Sequence, residues 1–309
     1  MNKISVLINN YNYGKYVGEA IASVLSQDYP DFELIVVDDG STDESPEVIG
    51  SFHDDRMKTI IKSNGGQLSA FNAGFSVSSG EIICFLDADD LYQPGYLSAV
   101  AEIFSNHVDC GCLMGRIEYF GRRSGSDMIY PDGFFGCNPF SVATRHVWRG
   151  TSTSAISMRR CVAALILPCT DNEKYWKTRA DDLLVWGTDL VCANKYCFSK
   201  PAVKYRVHAS NLFYGRKISA RDYQERRSAA IRFCSWIMKK NNLGLTHLLE
   251  IENGSGNLAF PDRLLSWLKA GKSRMLPFPG WIKCGFILLY GFIFIRRKKA
   301  VRDNGSWHY

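Results

Sequence analysis

Two short apolar runs in this chain end in the same way. Phe32-Glu33-Leu34-Ile35-Val36-Val37 delivers Asp38-Asp39-Gly40, and Ile82-Ile83-Cys84-Phe85-Leu86 delivers Asp87-Ala88-Asp89-Asp90. A short apolar run bounded by turn residues and acids reads as a strand buried on both faces, as in a parallel sheet covered by helices. In open sheets of that kind, ligands gather at the carboxyl ends of the strands. Two such ends loaded with carboxylate point to an α/β fold with one acidic edge. Hard oxygen ligands placed there suit Mg²⁺ or Mn²⁺ carrying substrate phosphates. Acids in loops also end strands and cap the next helix, so it is the repetition that carries the metal reading.

The residues between these runs supply the rest of an alternating pattern. Ile4 to Ile8 reads as a first strand, ending in the polar and aromatic Asn9-Asn10-Tyr11-Asn12-Tyr13-Gly14. Val17, Ala20, Ile21, Val24 and Leu25 share one face of a helix, which Tyr29-Pro30 ends. Ser41, with Glu44 three residues on, has the spacing of a capping box for the next helix. Met57 to Ile61 reads as a third strand. The turn Asn64-Gly65-Gly66-Gln67 precedes a helix with Leu68, Phe71 and Phe75 on one side. After Pro94-Gly95, Leu97, Val100, Ala101 and Phe104 mark another amphipathic helix. Strand, helix, strand, acidic turn, helix is the signature of right-handed βαβ units. From Arg116 to Trp148 the chain is aromatic, glycine-rich and poorly periodic, and the sequence assigns no element there.

Taken together, Val36-Val37-Asp38-Asp39-Gly40-Ser41-Thr42-Asp43, Asn64-Gly65-Gly66-Gln67 with Asn72-Ala73-Gly74, and Phe85-Leu86-Asp87-Ala88-Asp89-Asp90 resemble the family 2 glycosyltransferases. The resemblance covers roughly residues 1–215. It implies a GT-A fold, a Rossmann-like mixed sheet flanked by helices, and inverting transfer of a sugar from a nucleotide diphosphate donor, by default a uridine one. It also implies that Asn10, Tyr11, Asp38, Asp39, Gln67, Asp87 and Ala88 hold the donor. Asp87 and Asp89 stand as the D-x-D motif, with Asp89 the direct ligand of Mn²⁺ or Mg²⁺. The family's usual proline before its Tyr-Asn pair is replaced by polar Asn9-Asn10.

Three later stretches extend the likeness. Thr151-Ser152-Thr153-Ser154 and the following Ala155 to Arg160 resemble the segment passing under the acceptor pocket. Asp181-Asp182 precedes the apolar Leu183-Leu184-Val185-Trp186, where acids serve well as helix-start residues. The family places its general base at such a helix start, and inverting displacement needs a carboxylate opposite the leaving group. The family's Glu-Asp pair can be laid on Ala180-Asp181 or on Asp181-Asp182, so both acids stand as candidate bases. Tyr205-Arg206-Val207-His208 resembles the family's Tyr-Arg-x-His signature, which implies that Arg206 and His208 reach the diphosphate and that His208 also reaches the metal.

Composition bounds what remains. With 309 residues, 46% apolar, the chain can bury a large core. Its ten cysteines show no metal-site spacing, so they read as reduced thiols of a cytosolic protein. The net charge of +6 is uneven: between Arg263 and Arg302 basic residues recur without acids. The expected organisation is a GT-A domain over 1–215 and a helical, basic, membrane-associating region over 216–309. Ala229, Ile231, Phe233, Trp236 and Ile237 mark an amphipathic stretch, and Gly254-Ser255-Gly256 reads as a linker. Cys284 to Ile295 is uncharged and apolar, closed by Arg296-Arg297-Lys298-Lys299. It is shorter than the ~20 residues that span a bilayer. The expectation is therefore insertion into one leaflet at the inner face of the membrane, ahead of a buried core helix.

No nucleic-acid motif accompanies the basic run. Processive synthases of the superfamily carry Gln-x-x-Arg-Trp, whereas Gln224-Glu225-Arg226-Arg227-Ser228 lacks the tryptophan, so a non-processive enzyme is expected. The expected acceptor is a glycan or lipid-linked hydroxyl in cell-surface polysaccharide synthesis. The alternative is a catalytically silent nucleotide-sugar-binding module in an assembly complex. A nucleotidyltransferase would need a basic, glycine-rich loop after the first strand, and Asn9 to Gly14 is no such loop.

Overall fold

The computed structural model describes residues 2–127, 130–209, 211, 219–255, 260–272 and 280–289. The first half alternates as the pattern requires: β1 (Ile4–Asn10), α1 (Gly14–Leu25), β2 (Phe32–Asp38), α2 (Ser45–Gly50), β3 (Met57–Ile61), α3 (Gln67–Val77) and β4 (Ile82–Asp87). Next come β5 (Leu91–Tyr92), α4 (Tyr96–Asn106), β6 (Cys110–Gly121), β7 (Gly125–Asp127), β8 (Gly133–Gly136) and α5 (Pro139–Arg145). The last part holds β9 (Ile156–Arg159), α6 (Arg160–Ile166), α7 (Asp181–Leu190), β10 (Asn194–Val207), α8 (Ala220–Lys240), α9 (Leu245–Ser255) and α10 (Phe260–Lys272). A further helix occupies residues 280–289.

One mixed sheet runs β3-β2-β1-β4-β9-β6-β10-β5, with β7 added on β6 and β8 on β10. Strands β3, β2, β1 and β4 are parallel, and β9 lies antiparallel between β4 and β6. The chain moves outward from β1 to β3 and then returns to the other side of β1, so the strand order reverses between β1 and β4. Such a switch point opens a crevice at the carboxyl ends of its strands. The register aligns Asn10 with Asp38 and Asn9 with Asp87 at that edge.

The side-chain alternation of each strand feeds two cores. Ile4, Val6 and Ile8 of β1 point with Leu34, Val36, Cys84 and Leu86 to the layer under α1 and α4. Leu7, Ile35, Val37, Ile83 and Phe85 point to the opposite layer. Phe85 is fully buried there, and truncating such a phenylalanine to alanine costs about 3–5 kcal/mol. This second core continues without a break into Phe233 and Ile237 of α8, Leu248 and Leu249 of α9, Ala270 of α10, and Cys284 and Leu288. The carboxyl-terminal helices are therefore packed into the same apolar layer as the sheet.

Several expectations need correction. The Ser41–Glu44 capping box does not form: Glu44 is the N-cap of α2 and makes no side-chain cap bond. The Ser41 hydroxyl instead accepts from the Asn12 backbone N–H at 2.8 Å, and Asn10 Nδ2 lies 3.2 Å away. Gly254 and Ser255 belong to the last turn of α9 rather than to a linker, and Gly256 lies outside the described residues. The unassigned stretch from Arg116 to Trp148 holds the end of β6, β7, β8 and α5. Ile231 is half exposed on α8. All ten cysteines are free, but Cys161 is exposed. In the apolar run from Cys284, Cys284 and Leu288 are buried while Phe286 and Leu289 face outward. Residues 290–309, including the rest of that run and the basic cluster, lie outside the described residues.

Candidate active site

At the switch point the strand ends surround a cavity of about 470 Å³. Of the expected donor residues, Asn10, Tyr11, Asp39, Gln67, Asp87, Ala88 and Asp89 line it, and so does Asp181. Asp39 sits at one end, where its carboxylate accepts the backbone N–H groups of Gly65 (3.0 Å) and Gly66 (2.6 Å) and pairs with Lys62 Nζ (2.6 Å). Gly66 is required there. Its φ is +91°, and a Cβ would lie 2.4 Å from Lys177 Cα. Asp38 stands one layer back: it accepts from Asn10 Nδ2 (2.8 Å) and from the N–H groups of Gly40 and Ser41, so it shapes the wall without facing the cavity.

Asp87 is held from two sides. Asn9 Nδ2 donates to it at 3.0 Å and Gln67 Nε2 at 3.1 Å. Burial, aided by the neighbouring Asp89 charge, pushes its carboxyl up to about 7. Gln67 spends its other end on α7, accepting the Ala180 N–H at 2.8 Å. One amide thus joins the tip of β4 to the start of the helix that carries Asp181. Asn9, which replaces part of the family's usual pattern, is an integral part of this edge.

The two remaining acids of the β4 tip diverge. Asp90 is buried, accepting from Ser154 Oγ and from the Arg206 N–H, so it is a structural carboxylate. Asp89 faces the cavity, and its Oδ2 lies 2.9 Å from His208 Nε2. Hard carboxylate oxygen beside imidazole nitrogen fits Mn²⁺ or Mg²⁺ if phosphate oxygens complete the shell. Among the described residues, no three His, Cys, Asp or Glu side chains converge to hold an ion unaided. Asp87 turns to its two amide donors rather than to His208. Arg206 also stands back: Nε donates to the Asp89 carbonyl and Nη2 pairs with Glu19, both at 2.9 Å.

The candidate bases are separated by the structure. Both lie in the first turn of α7. Asp181 lines the cavity, and burial together with the Asp182 charge raises its carboxyl to about 7. Asp182 is fully buried, with its Oδ2 2.9 Å from Arg226 Nε and 3.5 Å from Arg179 Nε. Sequence reasoning missed Lys177 and Arg179, which also line the cavity. The only signal for Arg179 is conformational, a φ of +59° in a non-glycine residue, which no sequence pattern announces.

A cavity lined by Asp39, Asp87, Asp89 and Asp181 at the switch point of an open sheet lies where α/β folds bind their ligands. The Glycosyl transferase family 2 model matches residues 5–155. A glycosyltransferase of Nostoc sp. (strain PCC 7120), itself uncharacterized, is 34% identical over 238 residues, covering 74% of this chain and 71% of that protein. GlyG of Streptococcus pneumoniae serotype 4 is 34% identical over 133 residues, 42% of this chain and 44% of GlyG. The fold is shared with Staphylococcus aureus TarS, residues 1–349, whose complex with UDP-GlcNAc superposes with a TM-score of 0.62 at 19% identity, over 94% of this chain and 81% of that one. The chain belongs to glycosyltransferase family 2. It is a glycosyltransferase, built on the GT-A fold with a helical carboxyl-terminal extension.

Proposed function

We propose that this enzyme transfers a sugar, with inversion, from a nucleotide diphosphate donor to a hydroxyl of a glycan or lipid-linked acceptor in cell-surface polysaccharide synthesis. The observation that carries this reading is that Asp89 and Asp181 line one cavity together with Asn10, Tyr11 and Asp39, while His208, which does not line it, stands behind Asp89 at 2.9 Å. Asn10, Tyr11 and Asp39 hold the nucleoside. The uridine nucleotide seen in the TarS complexes is the default carried over to this chain. Asp89 and His208 hold Mn²⁺ or Mg²⁺, which when bound stabilises the charge that grows on the leaving diphosphate.

Asp181 accepts the proton of the acceptor hydroxyl while the new C–O bond forms and the bond from the sugar to the β-phosphate oxygen breaks. The nucleoside diphosphate leaves with that electron pair. A carboxylate whose pKa is about 7 is matched to this task near neutral pH. Gln67 and Asn9 keep Asp87 in place beside the reacting sugar. Arg206 orders the Asp89 loop through its backbone contact.

The region over 216–309 brings the enzyme to the inner face of the membrane. No helix among the described residues is long and apolar enough to cross a membrane. The support for peripheral docking is the exposed Ile282, Phe286 and Leu289 on one side of residues 280–289, a segment that falls in sequence within the acid-free basic run from Arg263 to Arg302.

The deciding experiment is transfer, or donor hydrolysis, with and without Mn²⁺ in wild type and Asp89→Ala. Turnover lost in the variant and restored by no metal concentration is expected. Unchanged turnover removes the metal role, and donor binding by calorimetry without turnover on any acceptor points to the silent module.

A further inference from the structure

In the stretch Gln224-Glu225-Arg226-Arg227-Ser228, laid against the processive signature, Arg226 falls on a variable position next to the matching Arg227. Arg226 projects from α8, outside the half that builds the nucleotide site. Its guanidinium takes the Asp182 Oδ2 with Nε at 2.9 Å and Nη2 at 2.5 Å. Asp182 is 0% exposed, and its Oδ1 has no hydrogen-bond partner among the described residues. The other cation near it, Arg179, is at 3.5 Å, too long for a strong charge-assisted bond. The position of Asp182 therefore depends chiefly on Arg226.

Helix α8 is a firm platform for that grip. Ser219 caps its start through the Asp222 N–H (3.1 Å), and Ala229, Ala230, Phe233, Cys234 and Ile237 are buried along one side. Trp236 Nε1 also donates to Asp171 Oδ2 at 3.2 Å. On the other side of α7's first turn, Gln67 holds the Ala180 N–H. Consecutive residues in a helix point about 100° apart. Fixing Ala180 by its backbone and Asp182 by its side chain therefore fixes the direction of Asp181 between them.

We propose that Arg226 is a positioning residue for sugar transfer: its forked guanidinium holds Asp182 behind the cavity, so that Asp181 alone faces the acceptor. This rests on Asp181 being the base. A helix of the carboxyl-terminal region thereby completes a site that the GT-A half does not orient unaided. The fork matters as well as the charge, because two bonds from one rigid plane set an angle that a lysine ammonium does not.

The test compares full-length wild type with Arg226→Gln, Arg226→Lys, Asp182→Asn and the double variant Arg226→Gln/Asp182→Asn, reading kcat, donor KM and thermal midpoint at a temperature well below the lowest midpoint. A misaimed base is expected to lower kcat about tenfold or more in Arg226→Gln, with donor KM within about twofold of wild type. Arg226→Lys falls between the two, and the double variant loses less than the product of the singles. If Arg226→Gln does not fold, Arg226→Lys decides: kcat down about threefold or more at constant KM supports the proposal. A lowered midpoint with wild-type kcat in either variant overturns it and leaves a purely structural clamp. Asp181→Asn, measured alongside, separates the two levels. If it turns over like wild type, the base reading itself fails, whereas an inert Asp181→Asn with wild-type Arg226 variants sinks only the positioning role.

Discussion

Replacing Asp181 by asparagine should abolish activity while making the protein more stable above neutral pH. A general base contributes about 10²- to 10⁴-fold to rate, or about 3–5 kcal/mol of barrier, and Asp181→Asn should lose that in kcat with little change in donor KM. In wild type the carboxyl must be ionised to accept the proton. With its pKa near 7, kcat/KM should fall on the acid side, dropping about tenfold between pH 8 and pH 6. The stability effect has the opposite sense. An unfolded aspartate titrates near about 3.9, so through the window from there to 7 the native chain holds a proton that the unfolded chain has released. That contribution to stability is intact at low pH and is lost as pH rises through 7. Asparagine does not titrate, so the variant's thermal midpoint should match wild type near pH 4 and exceed it at pH 8. Transfer assays from pH 5.5 to 9 and calorimetric melts over pH 4 to 8 supply both curves. An Asp181→Asn enzyme retaining more than a third of wild-type kcat, or a wild-type profile flat through pH 7, would refute the assignment.

Other perturbations probe the frame around this residue. Lys195→Met leaves Asp189 buried without its cation, and the loss should be about 3–5 kcal/mol in urea unfolding, partly recovered when Asp189 is also made apolar. Replacing both Phe286 and Leu289 by glutamate should weaken sedimentation with anionic vesicles while changing stability by no more than about 0.5 kcal/mol per site, since both side chains face outward. Equal vesicle binding by wild type and this variant would argue against docking through that face.

How much could be read from residues alone differs from place to place. Strands β1, β2 and β4 were legible because each is buried on both sides and therefore largely apolar, with Ser5 and Glu33 the interior exceptions, and the acidic ends of β2 and β4 followed directly. The pairing of Ser41 with Glu44 misled because a local pattern competes with tertiary partners, and Asn10 and Asn12 reach the Ser41 hydroxyl instead. Asp181 and Asp182 are equivalent in sequence. What divides them is Arg226, 44 residues away, and nothing local encodes that contact. The meeting of His208 with Asp89 spans 119 residues and was legible only through family likeness. Hydropathy likewise cannot separate the inner side of residues 280–289, where Cys284 and Leu288 join the core, from the outer side, where Phe286 is exposed.

The fully buried Lys195–Asp189 bond, 2.6 Å long, acts as the pivot of a calliper. One arm is α7, which runs from Asp189 back to Asp181; the other is β10, which runs from Lys195 forward to the turn bearing His208. On the proposed roles, the gap between the jaws is the span from Asp181, the proton acceptor, to His208, so the hinge bears on it together with the contacts that Arg226 and Asp89 make at the tips. Changes that thicken or loosen the hinge should alter which acceptors fit, leaving the nucleotide's own grip untouched.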